Sequence, residues 1–301
     1  MADTEQGNQT SISEFILLGF GNLPELQILL FLLFLVIYIV TMAGNVLIVV
    51  LVVANHQLQT PMYFFLGNLS CLETCYSSTI LPRMLTSLLT GDRTISLRIC
   101  IVCAAQMYFS LLLSGTECFL LAVMAYDCYV AICNPLRYTV TVTRVVCVRM
   151  VAGSWLVNNL VHFGWTYLVF SLPFCGSHVI NHFFCDIPPL MELSCVDTYR
   201  NRRAVFMALL LFVITPFFLI VISYIKITGA ILKMPSVQGR HKAFSTCSSH
   251  LTVVTLFYGS AMIAYLKPKT EDSMDSDKLF SLFYTIVTPL FHPLIYSLRN
   301  K

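Results

Sequence analysis

The sequence predicts an all-α membrane protein, a seven-transmembrane helix bundle with its N-terminus outside and its C-terminus inside. Three observations predict it. Of 301 residues, 57% are hydrophobic and 11% charged, with a mean hydropathy of +0.78, whereas a water-soluble domain carries about 25% charged residues. A surface built from this mix would expose large apolar patches to water, so lipid is the expected solvent. Next, the chain divides into seven apolar runs, each near or above the roughly 20 residues that a helix needs to cross a bilayer core of about 30 Å. Finally, Lys and Arg gather in alternate connections, which orients the bundle.

Taken in order, the N-terminal tail over 1–25 holds Asp3, Glu5, Glu14 and Glu25 and no base. The apolar stretch Phe15 to Leu18 is too short for a signal-peptide core and no base precedes it, so the first span is expected to act as its own insertion signal. The membrane domain occupies 26–301. Its spans are read at 26–53, 62–89 (interrupted by Glu73 and Arg83), 99–132 (holding Glu117 and Asp127), 145–172, 204–231, 244–266 and 279–298. Arg137, Arg144 and Arg149 mark the second inner connection. Lys226, Lys233, Arg240 and Lys242 mark the third, and Arg299 and Lys301 close the chain. Outer segments carry Arg93, Arg98, Arg202 and Arg203, diluted by acidic residues. Asn8-Gln9-Thr10 is a glycosylation sequon on the expected outer side; Asn68-Leu69-Ser70 is another, inside a span.

The same composition excludes several functions. A net charge of +3 without a basic run gives nucleic acid no footprint. No Gly-rich phosphate loop, GxSxG or HExxH is present, and Cys100-Ile101-Val102-Cys103 is a lone CxxC at a helix end; no enzyme and no cofactor are expected. No inverted repeat with paired broken helices points to a transporter. Among 12 cysteines, Cys100, Cys103, Cys175, Cys185 and Cys195 fall in or near outer segments, where disulfides persist, but spacing leaves their connectivity open. His178, His182, Cys185 and Asp186 lack zinc spacing and read as a solvated loop, with no metal.

Five strings, in order and at sensible spacing, carry a more specific likeness. They are Leu58-Gln59-Thr60-Pro61-Met62-Tyr63-Phe64-Phe65-Leu66; Met124-Ala125-Tyr126-Asp127-Cys128-Tyr129-Val130-Ala131-Ile132-Cys133; Ser223-Tyr224; Lys242-Ala243-Phe244-Ser245-Thr246-Cys247-Ser248-Ser249-His250-Leu251; and the stretch from Pro289 to Asn300. Together they resemble the olfactory receptors, a branch of the rhodopsin-like G-protein-coupled receptors, from about Gly44 to Lys301.

The resemblance implies the disulfides Cys103–Cys185 and Cys175–Cys195, with Cys100 a competing thiol one turn from Cys103. It places an odorant pocket among Ser110, Leu111, Ser114 and Gly115 of the third helix, Val205, Ala208 and Phe212 of the fifth, Tyr258, Ala261, Met262 and Tyr265 of the sixth, and Leu282 and Thr285 of the seventh. Such a cavity suits small, mostly apolar volatile molecules. Ser110 stands where amine-binding relatives have an acid, which argues against a charged amine. Asp127, Cys128, Tyr129, Tyr224, His250 and Tyr296 are the implied switch and coupling surface. An olfactory-type stimulatory G protein and a rise in cyclic AMP would follow ligand binding. The implied location is the plasma membrane of sensory cilia, multi-pass.

Three departures from the family stand out. Cys128 replaces an Arg that ordinarily pairs with the preceding Asp, so Asp127 is expected to lose its nearest partner and coupling to weaken, because a thiol carries no positive charge. His292 stands where related receptors have Asn, near the intramembrane carboxylates Glu73 and Glu117. Charges inside a membrane cost about 2.5–3.5 kcal/mol or more, so these three are expected to form one polar cluster sharing protons or a cation. The sequence ends at Lys301, where the family continues into a short amphipathic helix that docks on the membrane; either the protein is naturally short or its chain runs on past Lys301. The alternative reading is an odorant binder that couples weakly or not at all.

Overall fold

The computed structural model describes residues 14–19, 26–91, 94–96, 100–174, 179–180, 182–266 and 281–297. Seven helices form one bundle. They are α1 (Gln27–Ala54), α2 (Pro61–Thr90), α3 (Cys100–Cys133), α4 (Arg144–Phe170), α5 (Tyr199–Leu232), α6 (Val237–Leu266) and α7, which comprises Phe283–Val287 in π geometry followed by Thr288–Ser297. α1, α4, α5 and the stretch Ile101–Cys133 of α3 are long and apolar enough to cross a membrane unaided. α2 and α6 carry more polar side chains.

Two helices start earlier than the apolar runs suggest. α5 begins at Tyr199 rather than 204, and α6 at Val237 rather than 244. Helical hydrogen bonds do not require apolar side chains, so the helix continues where the hydrophobic signal stops. Helix ends carry local signals. Pro61 opens α2 at its first turn, where a missing N–H costs nothing. Gly91, at φ 68°, closes it in the left-handed conformation that favours glycine. Thr143 caps α4 by accepting from Val146 N–H.

Polarity is inverted relative to a soluble protein. Ile28, Leu29, Val36 and Val53 of α1, Leu160 and Phe163 of α4, and Leu211 and Ile225 of α5 are exposed. Thr41, Asn45, Ser70, Glu73, Ser77, Glu117, Asn158 and His292 are buried. Apolar residues thus lie on the outside of the bundle and polar ones inside it, as a lipid surround requires. α3 sits centrally, against α2, α4, α5 and α6.

Proline shapes the contact of α1 with α7. Pro293 has no N–H to give the Pro289 carbonyl one turn before it. Asn45 of α1 supplies the missing donor, its Nδ2 at 3.1 Å from Pro289 O and 3.0 Å from its own Thr41 O. Gly44 permits the approach, since a Cβ there would lie 3.0 Å from Pro293 Cγ.

A small sheet covers one end of the bundle. β1 (Glu14–Leu17) lies between β2 (Thr94–Ser96), antiparallel to it, and β3 (Val179–Ile180), parallel to it. β3 belongs to the α4–α5 connection, which also holds the short helix Ile187–Glu192. The Cys103–Cys185 disulfide ties this connection to the start of α3. Gln106, one turn on, braces the tie: its Nε2 donates to Thr79 O of α2 at 3.1 Å, and its Oε1 accepts from Cys185 N–H at 3.1 Å. Cys195 is also disulfide-bonded; its expected partner Cys175 lies outside the described residues, as do His178 and Asn8. The side chain of Cys100 is likewise not described.

The connection is not the solvated loop expected from its polar sequence. His182, Cys185 and Asp186 are buried. His182 stacks on Phe183 at 4.6 Å and approaches Ser281 Oγ of α7 at 3.3 Å. The disulfide pins the segment inward; its Phe183 and Phe184 join the main core, and its Ile180, Ile187, Leu190 and Met191 build a second one with Cys103 and Met107, which hydropathy of the polar residues alone conceals.

Candidate functional site

At the disulfide end, a cavity of about 310 Å³ opens between α3, α4, α5, α6 and the disulfide-linked connection. α3 contributes Leu111, Ser114, Gly115 and Cys118; α4 contributes Val161, His162 and Trp165. Val205, Ala208 and Phe212 come from α5, and Ala261 and Met262 from α6. Ile187, Pro188 and Met191 of the connection roof it. Leu210–Ile214 of α5 is a π segment, two residues before Pro216. Such a widened turn changes which side chains face inward, and Leu210, Phe212, Val213 and Ile214 all reach the cavity.

Most of the expected pocket residues gather here, but the wall differs. Leu111, Ser114, Gly115, Val205, Ala208, Phe212, Ala261 and Met262 line the cavity, whereas Ser110, Tyr258, Leu282 and Thr285 do not. Their polar groups are engaged elsewhere. Ser110 Oγ donates to Met107 O, Tyr258 Oη to Cys118 O across α3 and α6, and Thr285 Oγ1 to Ser281 O. α4 takes the place assigned to α7. A sequence signal existed: Asn158 and His162 are polar, four apart, in an apolar run, and so share one helix face. The side chain of Tyr265 is not described.

In the middle of the bundle, Glu73 of α2, Glu117 of α3 and His292 of α7 come together as expected. His292 Nδ1 is 2.8 Å from Glu73 Oε1, and Nε2 is 3.8 Å from Glu117 Oε1. All three are at most 1% exposed. The 2.8 Å approach is an ion-pair distance without hydrogen-bond alignment. One donor atom from each residue lies within 4.8 Å of the others, so a single cation could take a ligand from each.

At the opposite end, Asp127 is not left without a partner by the neighbouring Cys128. Tyr138, in the short helix Tyr138–Thr141, donates its phenol to Asp127 Oδ1 at 2.9 Å. Burial, then the adjacent carboxylate, push the Tyr138 phenol above its ordinary range, so it stays a donor. Tyr138 escaped the sequence reading because its contact depends on the turn Pro135–Arg137, which folds the chain back toward α3. Tyr224 and His250 are paired, Oη to Nδ1 at 2.8 Å with stacked rings, joining α5 to α6. Lys226 Nζ lies 5.5 Å above the Tyr129 ring. The side chain of Tyr296 is not described.

This geometry agrees with sequence likeness. The chain matches the family model for olfactory receptors over residues 34–301. It is 54% identical to human olfactory receptor 10A3, over 98% of this chain and 93% of that one. Human olfactory receptor 10A7 shares 50% identity over 98% and 92% of the two chains, and mouse olfactory receptor 5M5 shares 48% over 98% and 92%.

Proposed function

This chain belongs to the olfactory receptor family, and from that premise we propose that it binds small, mostly apolar volatile molecules in the α3–α6 cavity and signals through an olfactory-type stimulatory G protein that raises cyclic AMP. As a family member it is a multi-pass membrane receptor and not an enzyme. The observation that carries the ligand reading is the cavity itself: of a size for a small molecule, and lined chiefly by aliphatic, aromatic and sulfur-bearing side chains. The disulfide-bonded end faces outward on this reading, toward an oxidising compartment, and the Asp127 end faces the G protein. The expected location is the plasma membrane of sensory cilia.

The proposed mechanism is a population shift. A ligand that prefers the active arrangement moves the equilibrium by its differential affinity alone. Glu73, Glu117 and His292, the Asp127–Tyr138 bond and the Tyr224–His250 pair are the proposed elements whose rearrangement separates the two states.

One observation favours a second reading, in which odorant binds but coupling is weak. Cys128, buried beside Asp127, presents a thiol where coupling would use a cation. A cyclic AMP reporter assay with a broad odorant panel tests both readings, on wild type and Cys128→Arg at matched surface expression. Wild-type responses that rise several-fold in Cys128→Arg support binding with attenuated coupling. Equal responses rule out the attenuation. Silence of both rules out the signalling function.

A further inference from the structure

Several buried polar atoms meet in the middle of the bundle, and the protein gives them no hydrogen bond. They are both carboxylate oxygens of Glu73, Oε1 of Glu117 and both ring nitrogens of His292. The three residues come from α2, α3 and α7 and are at most 1% exposed. Buried polar atoms are ordinarily satisfied, so this convergence calls for a partner. The 2.8 Å separation of His292 Nδ1 and Glu73 Oε1 lacks the alignment of a hydrogen bond. Neighbouring ligands of one metal ion stand at such separations without pointing at each other, because their lone pairs converge on the ion. For metal–ligand bonds of about 2.0–2.1 Å, tetrahedral neighbours lie roughly 3.3 Å apart. His292 approaches Glu73 at 2.8 Å and Glu117 at 3.8 Å, and one ligand atom from each residue lies within 4.8 Å of the others. Those separations bracket a shell of that size.

We propose that Glu73, Glu117 and His292 bind one divalent transition-metal ion, of the zinc class, which clamps α2, α3 and α7 together. The choice of ion follows from the donors and from charge. An imidazole nitrogen suits zinc, copper or nickel, whereas hard cations such as sodium, magnesium and calcium favour sites built from oxygen alone. Two carboxylates with a neutral imidazole carry two negative charges, which a divalent ion cancels. A monovalent ion would leave one charge inside the membrane, where charges are costly. One ring nitrogen of His292 ligates, and the other, as N–H, turns to a carboxylate oxygen. Metal-bound histidines are ordinarily held in this way. A fourth position remains for water. The cluster is buried, so the ion enters as the helices pack: ligands on three helices form a site only in the fold. The clamp is independent of what the α3–α6 cavity binds.

The test uses the full-length chain, with Cys71→Ser and Cys75→Ser to remove the exposed thiols of α2 that would bind zinc independently. It is expressed with zinc sulfate in the medium, purified into lipid nanodiscs and washed with a weak chelator. Mass spectrometry of the metal content is expected to find about one zinc per receptor. Stripping that zinc with a strong chelator should lower the unfolding temperature by several degrees. His292→Asn and Glu117→Gln should each retain less than about a tenth of the zinc, since removing even a residue that orients a ligand costs about 10–100-fold in affinity. His292→Cys restores a transition-metal ligand and should keep the ion. Cobalt supplied in place of zinc reports the ligands: a near-ultraviolet thiolate band is expected in His292→Cys and in no chain that retains His292. A zinc-free receptor overturns the site. So does a zinc content unchanged in both His292→Asn and Glu117→Gln, or a thiolate band while His292 is in place. Stabilisation by sodium chloride and not by zinc overturns it too. Where a variant fails to fold, the zinc content and cobalt spectrum of the chain that retains all three ligands decide.

Discussion

The two ends of the bundle are held together in different ways. At the Asp127 end side chains pair across the bundle: Tyr138 with Asp127, Tyr224 with His250, and Lys226 over Tyr129. At the disulfide end the backbone is tightly tied, by Cys103–Cys185 and Gln106, around a cavity lined chiefly by apolar side chains. Between the ends sits the Glu73–Glu117–His292 cluster. On the proposed function, binding and resting-state control are separated along the bundle, with the cluster between them.

The largest effect should come from removing the tie that shapes the binding end. Cys185→Ser opens a covalent link spanning 82 residues, and a lost native disulfide typically costs about 2–5 kcal/mol. Surface expression measured by flow cytometry should fall severalfold or vanish. Normal expression with normal ligand binding would mean that packing alone holds the roof, and the contrast between the ends would weaken. Tyr138→Phe should act at the other end only. It removes a hydrogen bond to a buried carboxylate worth about 1.5–3 kcal/mol, so basal signalling should rise roughly tenfold while ligand affinity stays unchanged. A change in affinity without a change in basal activity would break the division of roles. His292→Asn is expected to have the smallest effect, a few-fold shift in basal cyclic AMP together with altered sensitivity to sodium. If neither moves, the central cluster is structural packing only.

The helix count was legible because a membrane imposes a length and a polarity on each span, and both are written in consecutive residues. Starting points were less legible. α5 and α6 extend over Tyr199–Arg203 and Val237–Ala243, where hydropathy falls but the backbone has no reason to stop. The central cluster could be anticipated from Glu73, Glu117 and His292, since charges in lipid must meet each other. The roof could not: the residues around His182 look hydrophilic, and only the pull of a disulfide and the Phe183–Phe184 pair shows that they are buried.

What the sequence by itself determined is therefore the class of solvent, the spans, the family and the presence of expensive intramembrane polar groups, all of which follow from local composition and motif. Tertiary structure alone decided which groups meet: that α4 rather than α7 walls the cavity, that Tyr138 folds back onto Asp127, and that Asn158 and His162 pack against Gly115 where no side chain stands in their way. These contacts join residues from different helices. Their existence depends on helix rotation and on side-chain volume at one crossing, and no single segment of the chain encodes either.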